Sequence, residues 1–439
     1  MRSIAGVIPE SRVVEIWQDC LAGRTDLVTE EEGPVEVVYP GRPNDDRGAD
    51  LKDCVITVGR RLRRGDVEVH VRSSSWWGHG HHQDPVYNRV ILHVVYQRDT
   101  DRAVVRQDGH TVPTLTLGRY VAGGAGPRAA VYPFNRRLLP CRAVAGRRSD
   151  EFLGGVLDSA GDLRFTARVA GFRAALSRLV PAQALYEGIL GALGYVKNKM
   201  PMLELAGRLP FARLAGAAQA GVPDEECLAR YQALLLGTAG LLPPGDEAWA
   251  ARLKCTWESS GAGETMSAGD WRSFKVRPGN LPRRRLAAMS YLLLRYRDEG
   301  LLAGLVRALE NAGTDTGKRG LENSLLVAAS DYWAANLDFG LPARHTAPSL
   351  LGEDRVGAIV INVLLPFAAA WGSTALMEKA PEIYHSYPAL AENAPERHVR
   401  RQLGVSRLTV NSARRQQGLL HIYKTYCAQG KCVACPLGG

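Results

Sequence analysis

Over residues 36–121 apolar side chains recur at every second position, and beyond residue 150 they recur at every third or fourth; this change of period constrains the fold more than any other feature. The early segments VEVVYP, CVITVG, DVEVHVR, RVILHVVYQ and TLTLGRYV are short and β-branched, and clusters such as GRPNDDRGAD and GRRLRRGD supply turns between them. They predict one sheet, preceded by a helix over 13–21. The later stretches 167–179, 184–193, 201–209, 225–235, 283–296 and 301–311 predict helices that pack on one another, with no fixed-period repeat. The expected architecture is α+β: a mixed-sheet domain over 1–125, a Gly-, Pro- and Arg-rich linker over 126–150, a larger all-α domain over 151–415, and a terminal helix with a Cys-rich metal-binding tail over 416–439.

A chain of 439 residues with 46% apolar and 23% charged residues has the length and composition to bury two or three cores without disulfide staples. Its 55 Lys and Arg against 45 Asp and Glu give a net charge of +10, which favours a polyanionic partner, nucleic acid, and DNA more than RNA. The N-terminus carries no apolar run of the secretory type, so a cytoplasmic location is expected. The most apolar stretch, GAIVINVLLPFAAAW at 357–371, falls short of the roughly 20 residues of a membrane span and is interrupted by Asn362 and Pro366. It predicts a buried helix and no membrane segment. Nothing in the sequence fixes the oligomeric state.

Side chains alternate across a strand, so Val67, Val69 and Val71 share one face while Asp66, Glu68, His70 and Arg72 share the other. Asp50 closes a turn 18 residues before Glu68, and a hairpin between the two segments would set the carboxylates side by side. Two carboxylates on neighbouring strands suit Mg²⁺ or Mn²⁺, and such an ion polarises a phosphoryl group and activates water. His70 would orient or deprotonate that water. The bland alternative is an ordinary solvated strand face.

The segment that follows, SSSWWGHGHHQDPVYN, is dense in site-type residues. His79, His81 and His82 suit a transition metal, substrate contact or plain exposure. Trp76 and Trp77 suit base stacking or the capping of a sheet edge. His93 lies in the near-continuous apolar run NRVILHVVY, which predicts a central strand; it is a further catalytic candidate because it is expected to neighbour His70 across the sheet. Farther on, Arg272, Lys275, Arg277, Arg283, Arg284 and Arg285 flank a turn before a predicted helix, a pattern suited to phosphate. Arg72, Trp76, Arg277, Arg283 and Arg285 are the candidate nucleic-acid contacts. A second basic group includes Arg397, Arg400, Arg401, Arg407, Arg414 and Arg415.

At the C-terminus Cys427, Cys432 and Cys435 follow the predicted helix GLLHIYKTY as C-x4-C-x2-C-P. Two thiolates on a C-x-x-C turn bind one metal, and a third at this spacing strengthens the signal. A fourth ligand must come from upstream: Cys141 is the first choice, with Cys255 and His421 in reserve. The cofactor is expected to be a [4Fe-4S] cluster or Zn²⁺.

The acidic pair resembles that of the PD-(D/E)xK nuclease superfamily, in which an acid opening one strand and an E-x-K on the next hold a metal. Asp50 in Gly48-Ala49-Asp50 matches the first element and Glu68-Val69-His70 the second, with Ala49 in place of proline and His70 in place of lysine. The resemblance implies a restriction-endonuclease-like N-terminal domain with Asp50 and Glu68 as metal ligands. The helix and cysteines resemble the [4Fe-4S] terminus of endonuclease-III-type glycosylases. The layout is also similar to Fe-S nucleases related to PD-(D/E)xK, which close a cluster with one distant cysteine. Over nearly its full length, from GDVEVHVRSSSWWGHGHHQDPVYNRVILHVVY through YEGILGALGYVKNKMPMLELAGRLP and FKVRPGNLPRRRLAAMSYLL to QGLLHIYKTYCAQGKCVACPLG, the chain resembles a bacterial family catalogued as a domain of unknown function. The expected activity is metal-dependent phosphodiester hydrolysis on DNA or RNA. The alternatives are a nuclease-fold binding or repair module without catalysis, and a His-dependent metalloenzyme for a small molecule.

Overall fold

The computed structural model describes the chain except residues 1–7, 21–25, 45, 60, 121–139, 218–220, 244–246, 262, 275, 314–316, 346, 348 and 439. Most of the expected linker, 126–139, and Lys275 therefore lie outside the described residues. The chain is α+β, with a mixed sheet followed by a mostly helical region.

The β-type segments form seven strands: β1 (Leu27–Thr29), β2 (Gly33–Tyr39), β3 (Arg42–Pro43), β4 (Leu51–Val58), β5 (Arg61–Arg72), β6 (Val90–Gln97) and β7 (Thr114–Thr116). They are ordered β1-β2-β4-β5-β6-β7, with β3 on β4. Pairing is antiparallel from β1 to β5 and parallel from β5 through β7. The sheet curls far enough for Glu30 N of the β1 turn to donate to Thr114 O of β7 at 2.9 Å.

Val67 and Val69 of β5 face a core closed by Val13, Ile16 and Trp17 of the helix Glu10–Cys20. The opposite face of β5 is covered as well. The segment 73–89 folds over it as a short helix, Ser75–Gly78, and two single turns, with Trp76 packed against Ala49 and Val90. Asp66, Glu68 and His70 are thus buried at 1%, 5% and 1% exposure, which rules out an ordinary solvated face.

The helical stretches appear as expected, among them Pro181–Leu193, Lys199–Arg208, Asp224–Thr238, Pro282–Arg295 and Leu301–Asn311. Among the described residues, one helix, Glu353–Trp371, is long and apolar enough to cross a membrane by length and composition, but it is mostly buried in the helical core. A turn of π-helix, Val360–Leu364, precedes Pro366 and absorbs the hydrogen bond that proline cannot make.

Contacts divide the chain into two compact units: 1–160 with 392–410 and 416–439, and 161–391 with 411–415. The boundaries expected at 125, 150 and 415 follow periodicity along the chain, whereas the contacts group the C-terminal segments with the sheet.

Candidate functional site

Leu51 at the start of β4 lies opposite Val67 of β5, so the hairpin brings Asp50 beside Glu68 as the spacing implies. The two acids interlock through backbone: Asp50 N donates to Glu68 Oε2 at 3.2 Å, and Val69 N donates to Asp50 Oδ2 at 2.9 Å. Gly48, at φ +95°, allows this approach, since a Cβ there would stand 2.5 Å from Val86 Cγ1. Burial, and then the charge of Glu68, pushes the Asp50 carboxyl up to about 7. Burial likewise pushes Glu68 up to about 7, eased by the Asp50 amide. Two such acids favour a cation as a partner.

Two imidazoles meet the same carboxylate, and a third joins them through His70. Glu68 Oε1 lies 3.0 Å from His81 Nε2, without the alignment of a hydrogen bond, and 3.5 Å from His70 Nε2. His70 Nε2 is 3.1 Å from His79 Nδ1. Among the described residues, His70, His79 and His81 form the one group of three or more potential ligand atoms within 4.8 Å of one another. On the far side of the ring, His70 Nδ1 is 2.8 Å from His93 Nε2. Burial lowers His70 to about 2 and His93 to about 3, so both rings are neutral at physiological pH. If His70 Nδ1 donates to His93, the lone pair on His70 Nε2 faces Glu68, His79 and His81, the tautomer a metal ligand needs.

Several site residues require correction. His93 is fully buried on the far side of His70, away from the side that faces Glu68, His79 and His81, so the structure sets it behind the site rather than in it. Trp76 is also fully buried, with its Nε1 donating to Val105 O at 3.0 Å, so its faces are closed to a base. Arg283 donates to Leu241 O and pairs with Asp338 at 3.2 Å. Arg285 is 5% exposed and is bound to Leu350 O, Tyr195 and Asn280. Both arginines are thereby consumed inside the helical unit and do not form a phosphate site. Arg72 and Arg277 are exposed as expected.

The cysteines converge. Cys141, Cys427, Cys432 and Cys435 line one cavity with Tyr39, Gln402 and Tyr426. Gln402 Nε2 donates to Cys141 Sγ at 3.5 Å and to Cys427 Sγ at 3.8 Å. Burial, and then Cys141, pushes the Cys427 thiol up to about 12. The reserve ligand Cys255 is exposed, and neither it nor His421 lines this cavity.

The HGHH run offers His79 and His81 as transition-metal candidates, but nothing in its spacing sets them beside Glu68, where the structure brings them. The structure adds Lys52, whose Nζ pairs with buried Asp66 at 2.9 Å, and Tyr87, which stacks on His81 at 3.8 Å. Neither had a signal in local spacing.

No curated protein and no solved structure matches the chain. A family model described as a protein of unknown function, DUF2851, matches residues 10–394, which include the whole acid and imidazole site and stop short of the three terminal cysteines. That match spans most of the sequence, and the chain belongs to the DUF2851 family.

Proposed function

We propose that this protein is a metal-dependent hydrolase of phosphodiester bonds in nucleic acid, with its ion held by Glu68, His70, His79 and His81 and with Asp50 alongside. The observation that carries this reading is that ligand nitrogens of His70, His79 and His81 lie within 4.8 Å of one another, with Glu68 Oε1 3.0 Å from His81 Nε2 and 3.5 Å from His70 Nε2. Ligands at about 2.1 Å from a tetrahedral ion stand about 3.4 Å apart, so a small closing of the three imidazoles would let them hold one ion, with Glu68 the adjoining carboxylate. Mixed imidazole and carboxylate donors favour Mn²⁺, Fe²⁺ or Zn²⁺ over Mg²⁺. An ion bound there supplies Lewis acidity toward a phosphoryl oxygen and lowers the pKa of water.

The chain's own groups supply the rest. Neutral His70 presents Nε2 with its ring held by His93. Asp50, beside Glu68 and with its carboxylate accepting from Val69 N, is the candidate acceptor for a proton from water. His79 is the exposed member of the set and marks the open side. A restriction-endonuclease-like assignment draws on the same residues, with Asp50 just ahead of β4 and Glu68-x-His70 on β5. The net charge of +10 supplies attraction to a phosphate backbone.

The test is to load the stripped chain with Mn²⁺, Zn²⁺ or Mg²⁺ and present single- and double-stranded DNA and RNA. Cleavage is expected, falling on the order of 100-fold or more in Glu68→Gln and in His70→Ala. A chain that binds the ion and cuts none of these substrates refutes the reading. One observation favours a second reading, a metalloenzyme for a small molecule: Glu68 and His70 are only 5% and 1% exposed, a tight fit for a polymer backbone. Turnover of a small phosphodiester with polynucleotides untouched would select it.

A further inference from the structure

We propose that Cys141, Cys427, Cys432 and Cys435 hold a [4Fe-4S] cluster that fastens the C-terminal segment to the sheet-bearing unit. This centre shares no residue with the imidazole site, and the three terminal cysteines lie outside the family match.

Four cysteines from two distant parts of the chain, 286 positions apart at Cys141 and Cys427, meet around one void. The void has room for more than one water, with a free radius of roughly 3 Å. Interiors are otherwise close-packed, and a hole ringed by four thiols implies a missing occupant.

The spacing favours a cluster over a single zinc ion. Zinc at about 2.3 Å from each sulfur would draw four thiolates to within about 4 Å of one another. The cysteines form no set of three sulfurs within 4.8 Å; among the described residues only the imidazoles do so. A cubane separates its thiolates by its own bulk and takes one from each of four cysteines. The four thiols lose their protons on ligation, and the Gln402 amide already donates to two of the sulfurs, the kind of N–H···S contact that stabilises a cluster's charge.

The surrounding packing explains why a cluster here would act as a clamp. Tyr39 of β2 lines the void from the sheet side, and Gly430, at φ +62°, lies so close to β4 that a Cβ would meet Val55 Cγ1 at 2.7 Å. Arg64 of β5 donates to Gln429 O at 3.3 Å.

The experiment is to purify the full chain anaerobically and measure iron, acid-labile sulfide, zinc and visible absorption. About four irons and four sulfides per chain are expected, with a broad visible charge-transfer band. Cys432→Ser and Cys141→Ser should each lose most of the iron, while Cys255→Ser should keep it. If the site variants fail to fold, the metal content of the parent chain decides alone. One zinc per chain without iron, or a chain with neither metal, overturns the proposal. So does iron retained in both Cys432→Ser and Cys141→Ser. Because the readout is composition and spectrum, it stands apart from any loss of hydrolytic activity at the imidazole site.

Discussion

Replacing Glu68 by Gln is expected to stabilise the metal-free protein at alkaline pH while removing its capacity to hold an ion. Burial lifts the Glu68 carboxyl from 4.5 to about 7, so the fold favours the neutral acid. The stability this confers is present in full below pH 4.5 and is lost as the pH rises through about 7. At about 1.4 kcal/mol per pH unit, the loss approaches roughly 3 kcal/mol by pH 8. Glutamine keeps an oxygen for the Asp50 amide and offers its NH₂ to the neutral imidazoles, yet it carries no charge to desolvate. The advantage of the variant should therefore be near zero at about pH 4 and roughly 3 kcal/mol at about pH 8.5. Two compact units make global unfolding a poor gauge, so the measurement is hydrogen exchange at the β5 amides of Val67, Val69 and Val71, corrected for intrinsic rates. Protection in the metal-free variant at or below that of the parent at alkaline pH would refute the electrostatic argument.

Two further substitutions separate positioning and packing from contact. His93→Phe removes the acceptor behind His70 and should weaken Mn²⁺ or Zn²⁺ binding roughly 10- to 100-fold by competition titration, with cleavage at saturating ion little changed. A loss at saturation as large as that of His70→Ala would make His93 more than a positioning residue. Arg285→Ala should cost roughly 2–5 kcal/mol of stability through the unpaired buried groups it leaves, with the salt dependence of nucleic-acid binding unchanged, whereas Arg72→Ala should flatten that dependence by about one phosphate contact. A flattened slope in Arg285→Ala without loss of stability would return that arginine to the interface.

What was legible in the sequence was local. Period-two alternation assigned Asp66, Glu68 and His70 to one face of β5, and the turn ahead of β4 set Asp50 against Glu68. Alternation identifies which side chains share a face, but it does not show what covers them. The roof over that face, 73–89, reads as a polar loop because its Gly, Ser and His residues obscure the one anchoring feature, a wholly buried Trp76. Arg283, Arg284 and Arg285 failed for a related reason. Consecutive helix positions point in different directions, so three adjacent charges cannot form one surface patch, and Arg284 and Arg285 point into the core, at 0% and 5% exposure.

The cysteine tail shows the same limit from the other side. Its internal spacing is local and visible, but the surface that receives it depends on contacts hundreds of residues away in sequence. Asp53 in β4 shows how that surface is made. It sits at φ 59°, a region costly for a residue with a side chain, where the β4–β5 register shifts. Its carboxylate accepts from Tyr423 Oη at 2.6 Å, while its amide donates to Asp66 Oδ1 at 3.2 Å. Lys52 and Arg89 complete the charge balance around Asp66, next to Glu68 on the same face. Strain at one strand residue is thus repaid by a partner from the C-terminal helix on one side and by the buried acid row on the other. This makes β4 a shared wall between the imidazole site and the seat of the thiol-lined void, and it gives a physical reason why the terminal segments belong with the sheet.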